Sequence, residues 1–214
     1  MKTMEGLAMT EYVFDIEADG IDATKIHCMI ANGEEVNRFF FKNLTSDDVL
    51  IGHNIIRYDI PTIERLLNIK IKAQLIDTLA LSWYLFPTIN RHGLEQWGER
   101  LKIEKPIITD WENLTREEYI HRCKEDVKIN TKLWGLQKSL LIKIYDGDYQ
   151  PLVRYLSFKM KMAMLQEKSK WKLDVNKANT LLNELELKNE QAINELSKVM
   201  PTVPKITKRK RPKL

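Results

Sequence analysis

Short apolar runs in the first half of the chain, each ended by a turn signal, predict the strands of a β-sheet. Apolar positions alternate with polar ones or run together over the lengths typical of strands. Asn32-Gly33 is a hairpin turn signal, and the run over 49–53 is typical of a buried parallel strand. The predicted strands cover residues 11–17, 25–31, 35–41, 49–53 and a stretch ending near 77.

Helical periodicity appears between and after these strands. Apolar residues recur three and four positions apart over 62–67, 79–86 and 91–101. Thr115 followed by Glu118 has the form of a capping box, so we expect a long helix to start there and run to about 141. Strands interleaved with helices predict the α/β class, with a mixed sheet flanked by helices.

Beyond residue 145 the pattern changes to two amphipathic helices. A loop ending at Pro151 precedes a predicted helix over 151–170. A second helix is capped near Asp174 or Asn176 and ended by Pro201. Two such helices cannot bury their apolar sides on each other alone, so we expect the rest of the chain or a second chain to cover them. The predicted domains are 1–145, a helical extension over 151–200 and a basic tail over 201–214.

Charge is distributed unevenly along the 214 residues. The formal net charge is +4, but six Lys or Arg and no acid lie in 201–214, which leaves −2 for the remainder. A basic tail on an acidic body is common where the tail meets nucleic acid or an acidic partner. The two cysteines offer no disulfide framework. No apolar run approaches the roughly 18 residues of a membrane span, so we expect a soluble, cytoplasmic protein without a membrane partner.

Asp15 and Glu17 are the first candidates for chemistry. They lie one residue apart in the first predicted strand, so both side chains project from the same face. Like charges beside a buried strand are costly unless something neutralises them, and hard divalent cations with oxygen ligands do so. An isolated pair of this kind is most often solvated at a sheet edge. Asp126, in the middle of the long predicted helix, is a further acid whose default environment is solvent.

With these elements in order, the sequence resembles the DEDD 3′→5′ exonucleases. Their motifs Exo I, II and III are matched by Asp15-Ile16-Glu17, by His53-Asn54 with Tyr58-Asp59, and by Asp126-Val127. The similarity is greatest to the proofreading domain of phage-type family A DNA polymerases, with support from 26–28, 76–79 and 92–98. It covers roughly residues 11–140 and implies an RNase H-like sheet of five strands flanked by helices.

The resemblance implies a metal-dependent nuclease that releases deoxynucleoside monophosphates. Two Mg²⁺ or Mn²⁺ ions about 4 Å apart would activate a water and stabilise the leaving 3′ oxygen. The ligands that the resemblance implies are Asp15, Glu17, Asp59 and Asp126. It also places His53, Asn54 and Tyr58 near the terminal nucleotide, although capping or packing roles for these three stay open.

The sequence departs from the family at the residue that orients the attacking water. Family A proofreading domains carry a Tyr four residues before the last Asp, and this chain has Arg122 there. A guanidinium cannot act as a base, so we expect Arg122 to bind substrate phosphate. A sister branch uses a His five residues before the Asp, and His121 has that spacing. In an unbroken helix His121 lies roughly 140° from Asp126 and Arg122 roughly 40°. Tyr119 shares the Asp126 face but lies two turns away, so the general base is open, with His121 preferred.

Residues 151–200 resemble the entry into the polymerase domain of the same phage enzymes, and no acidic palm motif follows. We therefore expect a phage-encoded proofreading exonuclease that acts on the single-stranded 3′ end of DNA. Its polymerase domain would be a separate subunit bound through 151–200, and the alternative that the sequence is a truncated piece of a longer polymerase stays open. Two alternatives stay open: a catalytically weakened fold that serves as a scaffold or DNA clamp, and an oligoribonuclease-like enzyme acting on RNA.

Overall fold

The computed structural model describes residues 10–103, 114–170 and 172–200. Its strands are β1 (Glu11–Ala18), β2 (Ile26–Ala31), β3 (Glu34–Glu35), β4 (Val49–Gly52) and β5 (Gln74–Asp77). Its helices are α1 (Arg38–Asn43), α2 (Asp59–Leu67), α3 (Thr78–Leu85), α4 (Leu94–Leu101), α5 (Arg116–Ile144), α6 (Gln150–Ser169) and α7 (Val175–Val199).

β1 lies at the centre of a five-stranded sheet with the order β3-β2-β1-β4-β5. It pairs antiparallel with β2 and parallel with β4, and β5 continues the sheet in parallel with β4. The β1–β2 register shifts between Glu17 and Ala18, an irregularity of the kind that bends a strand and re-aims its side chains. The predicted α/β class and RNase H-like mixed sheet are confirmed.

The predicted strand over 35–41 is wrong beyond its first residue, because α1 begins at residue 38. The Asn37 side chain caps α1 by accepting a hydrogen bond from the Phe39 backbone N–H. Phe40 and Phe41 both pack into the main core, whereas neighbouring residues of a strand face opposite sides. Helix α1 also forms most of the connection from β3 to β4. A strand that ended at residue 41 would have left only a short link before β4.

Helix α5 is the main support of the sheet. It packs against β2, β1 and β4 and begins with the predicted capping box, in which Thr115 and Glu118 bond reciprocally. Its buried residues include Cys123 and Val127, which join the main hydrophobic core with the strands. A smaller core forms on α5 where Ile129 and Leu133 meet α4. The helix therefore carries Asp126 directly over the central strand.

Helix α6 belongs to the same compact unit as the sheet. The chain divides into two compact units between Lys168 and Ser169. The physical reason is that α6 contributes three apolar residues to the main core: Val153, Leu156 and Met160. The predicted domain boundaries, 1–145 and 151–200, stay predictions.

Helix α7 forms the described part of the second unit. The predicted cap at Asp174 is present, since its side chain accepts a hydrogen bond from the Lys177 N–H. None of the residues of α7 is buried. The predicted basic tail over 201–214 lies outside the described residues. No described helix combines the length and the apolarity that a membrane span requires.

Gly98 of α4 gives a test of the smaller core. A Cβ at this position would lie 2.8 Å from the Ile103 carbonyl oxygen and 3.0 Å from Ile129 Cδ1. We expect Gly98→Ala to lower the free energy of unfolding by about 1–3 kcal/mol, because the backbone must move to admit the methyl group. The matched control is Gly135→Ala on α5, where a Cβ meets nothing within 4 Å. It should raise the free energy of unfolding by about 0.5–1 kcal/mol. Urea titration of both variants and wild type measures these changes. A Gly98→Ala protein as stable as wild type would contradict the tight packing of α4 on α5.

Candidate active site

Two carboxylates project from the centre of the sheet, and α5 brings a third to meet them. Asp15 and Glu17 flank the buried Ile16 on β1, so they share a face of the strand. Asp126 of α5 is 5% exposed. One ligand atom from each of Asp15, Glu17 and Asp126 lies within 4.8 Å of the other two. The structure thus brings three of the four predicted metal ligands together.

Asp59, the fourth predicted ligand, is the first residue of α2 and is buried. It is not one of the three mutually close groups, but its carboxyl group is near enough to the Ile16 backbone of β1 for that backbone to lower its pKa. Burial raises the pKa of Asp59 to about 7, and the charges of Asp77 and Glu17 act in the same direction. A cation beside this carboxyl group would offset these effects by stabilising its ionised form.

Asp77, at the end of β5, fixes the turn between β4 and α2. Its oxygens accept four backbone N–H groups: those of Asn54 (3.2 Å), Ile56 (3.3 Å), Leu79 (3.0 Å) and Ala80 (3.2 Å). Burial raises the pKa of Asp77, although these four donors act in the opposite direction. Asp77 therefore ties the segment that carries the predicted substrate-binding residues to the start of α3.

A buried polar network holds His53 at the start of that turn. Its Nδ1 lies 2.9 Å from the Thr78 hydroxyl, which also donates to Asn130 Oδ1 at 2.7 Å. Gln137 Nε2 donates to the Thr78 carbonyl at 2.9 Å. The sequence analysis assigned no role to Asp77 or Thr78. They could have been found only through the 76–79 stretch that supports the family resemblance.

Tyr58 connects the turn to the loop after β1. Its hydroxyl donates to the Gly20 carbonyl at 2.7 Å. Burial and then the nearby carboxylates, Asp59 first among them, raise the pKa of Tyr58, so its phenol lies within the field of the acidic cluster.

Asp19 is also in the loop after β1, and its carboxylate bonds within that loop and is not part of the acidic cluster. It accepts the Thr24 N–H at 2.7 Å and the Thr24 hydroxyl, and the hydroxyl bond is the main cause that lowers the pKa of Asp19 to about 2.

Arg122 lies beside the acidic cluster. Its Nε donates to Glu17 Oε1 at 2.7 Å, and the two side chains are only 20% and 14% exposed. Because α5 is continuous, Arg122 lies one turn before Asp126 and on nearly the same face. The guanidinium supplies the positive charge that offsets part of the repulsion among the carboxylates.

His121 and Tyr119 occupy other surroundings. His121 is exposed, and α5 runs without a break from Arg116, so the ring lies roughly 140° around the helix from Asp126. Tyr119 stacks on His27, with ring centroids 3.9 Å apart and planes 6° apart. The role of His121 as the general base stays a prediction.

Two buried thiols adjoin the cluster, and the sequence did not indicate them. Cys123 Sγ donates to Asp15 Oδ2 at 3.6 Å, and Cys28 lies opposite Glu17 in the β1–β2 pairing. The neighbouring Cys123 thiol lowers the pKa of Cys28, and the neighbouring Cys28 thiol together with burial raises the pKa of Cys123. Cys123 therefore remains a neutral donor that helps to orient Asp15.

The donor set fits a hard divalent cation. Asp15, Glu17 and Asp126 supply only carboxylate oxygens, the ligands that Mg²⁺ and Mn²⁺ prefer. Asp59 adds a buried carboxyl group with a raised pKa, whose ionised form a nearby positive charge would stabilise. Within the described ranges, no other group of three His, Cys, Asp or Glu side chains is close enough to hold a metal ion.

Fold and site together define a class, an RNase H-like α/β fold with an acidic cluster at its central strand. Among proteins of this fold, NrnC of Brucella melitensis bound to pGG has a TM-score of 0.57 at 14% identity, over 81% of this chain and 94% of that chain. NrnC of Brucella melitensis with bound Mg²⁺ has a TM-score of 0.55 at 14% identity, over 78% of this chain and 90% of that chain. The apo form of a nuclease has a TM-score of 0.55 at 16% identity, over 77% of this chain and 89% of that chain. At these identities the likeness establishes the fold.

The sequence itself has a match among polymerases. Over 82 residues, 36% of this chain, it is 39% identical to the DNA polymerase III PolC-type of Mycoplasma genitalium. The match spans 5% of the length of that relative, so it concerns one segment of a much longer protein. No protein-family model matches the chain.

The raised pKa of Asp59 predicts how the metal-free protein responds to pH. A carboxyl group whose pKa is higher in the folded state stabilises the fold most at low pH, and that stability is lost as pH rises from about 4 through about 7. In EDTA, wild type should therefore lose stability between pH 5 and pH 8 by an amount on the order of 2–4 kcal/mol. Asp59→Asn, which is neutral throughout, should lose much less.

Urea titrations at pH 5, 6, 7 and 8 measure this difference. Asp47→Asn is the control, since it neutralises an exposed carboxyl group before β4 and should follow the wild-type pH dependence. Identical pH dependence in wild type and Asp59→Asn would show that Asp59 is ionised in the folded protein without help from a cation.

Proposed function

We propose that this chain is a metal-dependent 3′→5′ exonuclease that removes nucleotides from single-stranded DNA and proofreads for a replicative DNA polymerase. The observation that carries the proposal is the convergence of Asp15, Glu17 and Asp126 within 4.8 Å, with the buried Asp59 beside them. The 82-residue match to a PolC-type polymerase and the shared fold with NrnC support it. The motif resemblance favours a phage-type family A polymerase as the enzyme served.

The four carboxylates would hold two Mg²⁺ or Mn²⁺ ions. When bound, such ions supply Lewis acidity that offsets charge on the phosphate and lowers the pKa of a bound water. The residues of the chain position the strand end. Tyr58 lies between the β1 loop and the acidic cluster, and Asn54 Oδ1 is a buried acceptor with no hydrogen-bond partner among the described residues. Arg122 lies where it can bind the scissile phosphate after its pairing with Glu17 loosens.

Substitution of the cluster tests the activity. Asp15→Asn and Glu17→Gln should each lower the rate by several powers of ten, because each removes a ligand of ions that contribute several kcal/mol to the transition state. The assay follows release of mononucleotides from a labelled single strand with Mg²⁺, with Asp47→Asn as the control. EDTA should abolish release in wild type. A rate within tenfold of wild type in either variant would refute the assignment.

The same assay separates the alternatives. Faster hydrolysis of an RNA strand than of the DNA strand would favour the oligoribonuclease-like enzyme. Binding of the strand without metal-dependent hydrolysis would favour a scaffold or DNA clamp.

His121 and Arg122 are distinguished by their own variants. The continuous α5 places Arg122 at the cluster and His121 on the exposed side. We therefore expect Arg122→Met to lose about ten- to a hundredfold in rate and His121→Ala only a few-fold. The opposite ranking, together with loss of the acidic limb of the pH–rate profile in His121→Ala alone, would restore His121 as the general base.

The polymerase partner is proposed to bind α7. Its apolar side chains recur at three-four spacing and are half or more exposed, including Leu182 (52%), Leu185 (63%) and Leu196 (53%). Exposed apolar stripes of this size mark protein interfaces. The proposed surface is narrower than 151–200, because Val153, Leu156 and Met160 of α6 are buried in the core of the first unit.

Serine substitution of the stripe tests the partner. The triple variant at Leu182, Leu185 and Leu196 should lose co-purification with a co-expressed polymerase subunit and keep its nuclease activity. The control changes three exposed polar positions of the same helix to serine: Asn183, Glu190 and Asn194. Unchanged co-purification of the leucine variant would show that the polymerase binds a different surface of this chain.

A further inference from the structure

A large groove in the first unit carries a strong excess of positive charge. It lies among α2, β5 and α6 and has a volume of about 1360 Å³. Seven of its lining residues are Lys or Arg and two are Asp or Glu, although residues 1–200 as a whole carry a net −2. This local excess indicates an anionic occupant. We call this surface the basic groove.

Some of these cations are engaged within the protein. Arg57 pairs with Glu167, and Lys70 pairs with Glu64 at 2.6 Å. Arg65 donates to the Ala23 carbonyl. Four other cations of the groove are exposed and make no ion pair with any described residue: Lys72, Arg154, Lys161 and Lys168. These four are therefore available to a ligand.

The spacing of the available cations favours a linear polyanion over a compact one. Arg154, Lys161 and Lys168 follow one another at intervals of seven residues on α6. Seven residues advance a helix by about 10.5 Å and return to nearly the same face, so the three charges form a row about 21 Å long. A single phosphate group can reach only one or two of them. A polynucleotide backbone can contact the whole row.

Apolar surface lies beside the row, as in proteins that bind single strands. Phe158 and Leu165 line the groove and are 56% and 52% exposed. Exposed aromatic rings next to cations give unpaired bases a stacking surface. The groove also includes Tyr58, whose phenol lies in the field of the acidic cluster. The groove and the candidate active site therefore share a residue.

We infer that the basic groove binds the single-stranded polynucleotide whose 3′ end lies at the acidic cluster. Its available cations contact backbone phosphates, and Phe158 stacks on a base. The groove would give affinity for longer strands and leave a dinucleotide, which cannot reach along α6, unaffected. This inference rests on the proposed nuclease function for the direction of the strand, but the binding itself does not need catalysis.

Binding of a labelled 20-nucleotide strand, as DNA and as RNA, tests the inference by fluorescence anisotropy in EDTA. Replacing Lys72, Arg154, Lys161 and Lys168 by Gln should weaken binding about tenfold or more at low salt. The slope of log K against log salt should fall by about 2–3, since each single-strand phosphate contact contributes about 0.7. Phe158→Ala should weaken binding a few-fold and leave the salt slope unchanged.

The control variant replaces four exposed lysines outside the groove, Lys42, Lys132, Lys143 and Lys159, by Gln. It should keep wild-type affinity and slope, and both quadruple variants should hydrolyse a dinucleotide with Mg²⁺ at the wild-type rate. Equal affinity and slope in the groove variant and wild type, or equal losses in the two quadruple variants, would overturn the inference. Tight binding in EDTA with no hydrolysis in Mg²⁺ would instead refute the proposed function and leave the groove standing.

Discussion

Repulsion among acidic side chains gathered at the central strand is the constraint that the rest of the site accommodates. Asp15, Glu17 and Asp126 meet within 4.8 Å, and Asp59 is buried beside them. The protein answers this repulsion in two ways: Arg122 pairs with Glu17, and Asp59 holds its proton up to a pH of about 7. Both the Arg122–Glu17 pair and the protonation of Asp59 are reversible. A divalent cation could therefore replace the Arg122 guanidinium and the proton of Asp59 at the cluster.

Much of the fold follows from local patterns in the sequence. The alternation around Asp15 and Glu17 predicted their shared strand face, and the capping box at Thr115 predicted the start of α5. The same kind of pattern failed at 35–41, because three consecutive Phe residues favour a strand while the Asn37 cap that starts α1 depends on one hydrogen bond. Local rules therefore identify strong periodicity and miss elements decided by a single contact.

The supports of the site depend on contacts between distant residues, which local patterns do not show. Asp77 organises the turn after β4 because β4 and β5 are parallel neighbours, with Gly52 paired to Asp77. Arg122 and Glu17 are 105 positions apart along the chain, so their pairing follows only from the docking of α5 on β1. The family resemblance identified the candidate metal ligands from the sequence. The residues that hold those ligands in place could not be identified in this way.

The distance along the chain between the acidic residues also affects how the molecule opens. In the unfolded chain Asp59 and Asp126 are far from the Asp15–Glu17 pair and from each other, so the cost of bringing these three groups together falls mainly on the native state. Unfolding relieves that cost. A molecule without a cation at the cluster is therefore closer to its open forms, and a protease cleaves such forms in proportion to their population. A cation held at the cluster would in this way slow the cleavage of the protein by proteases.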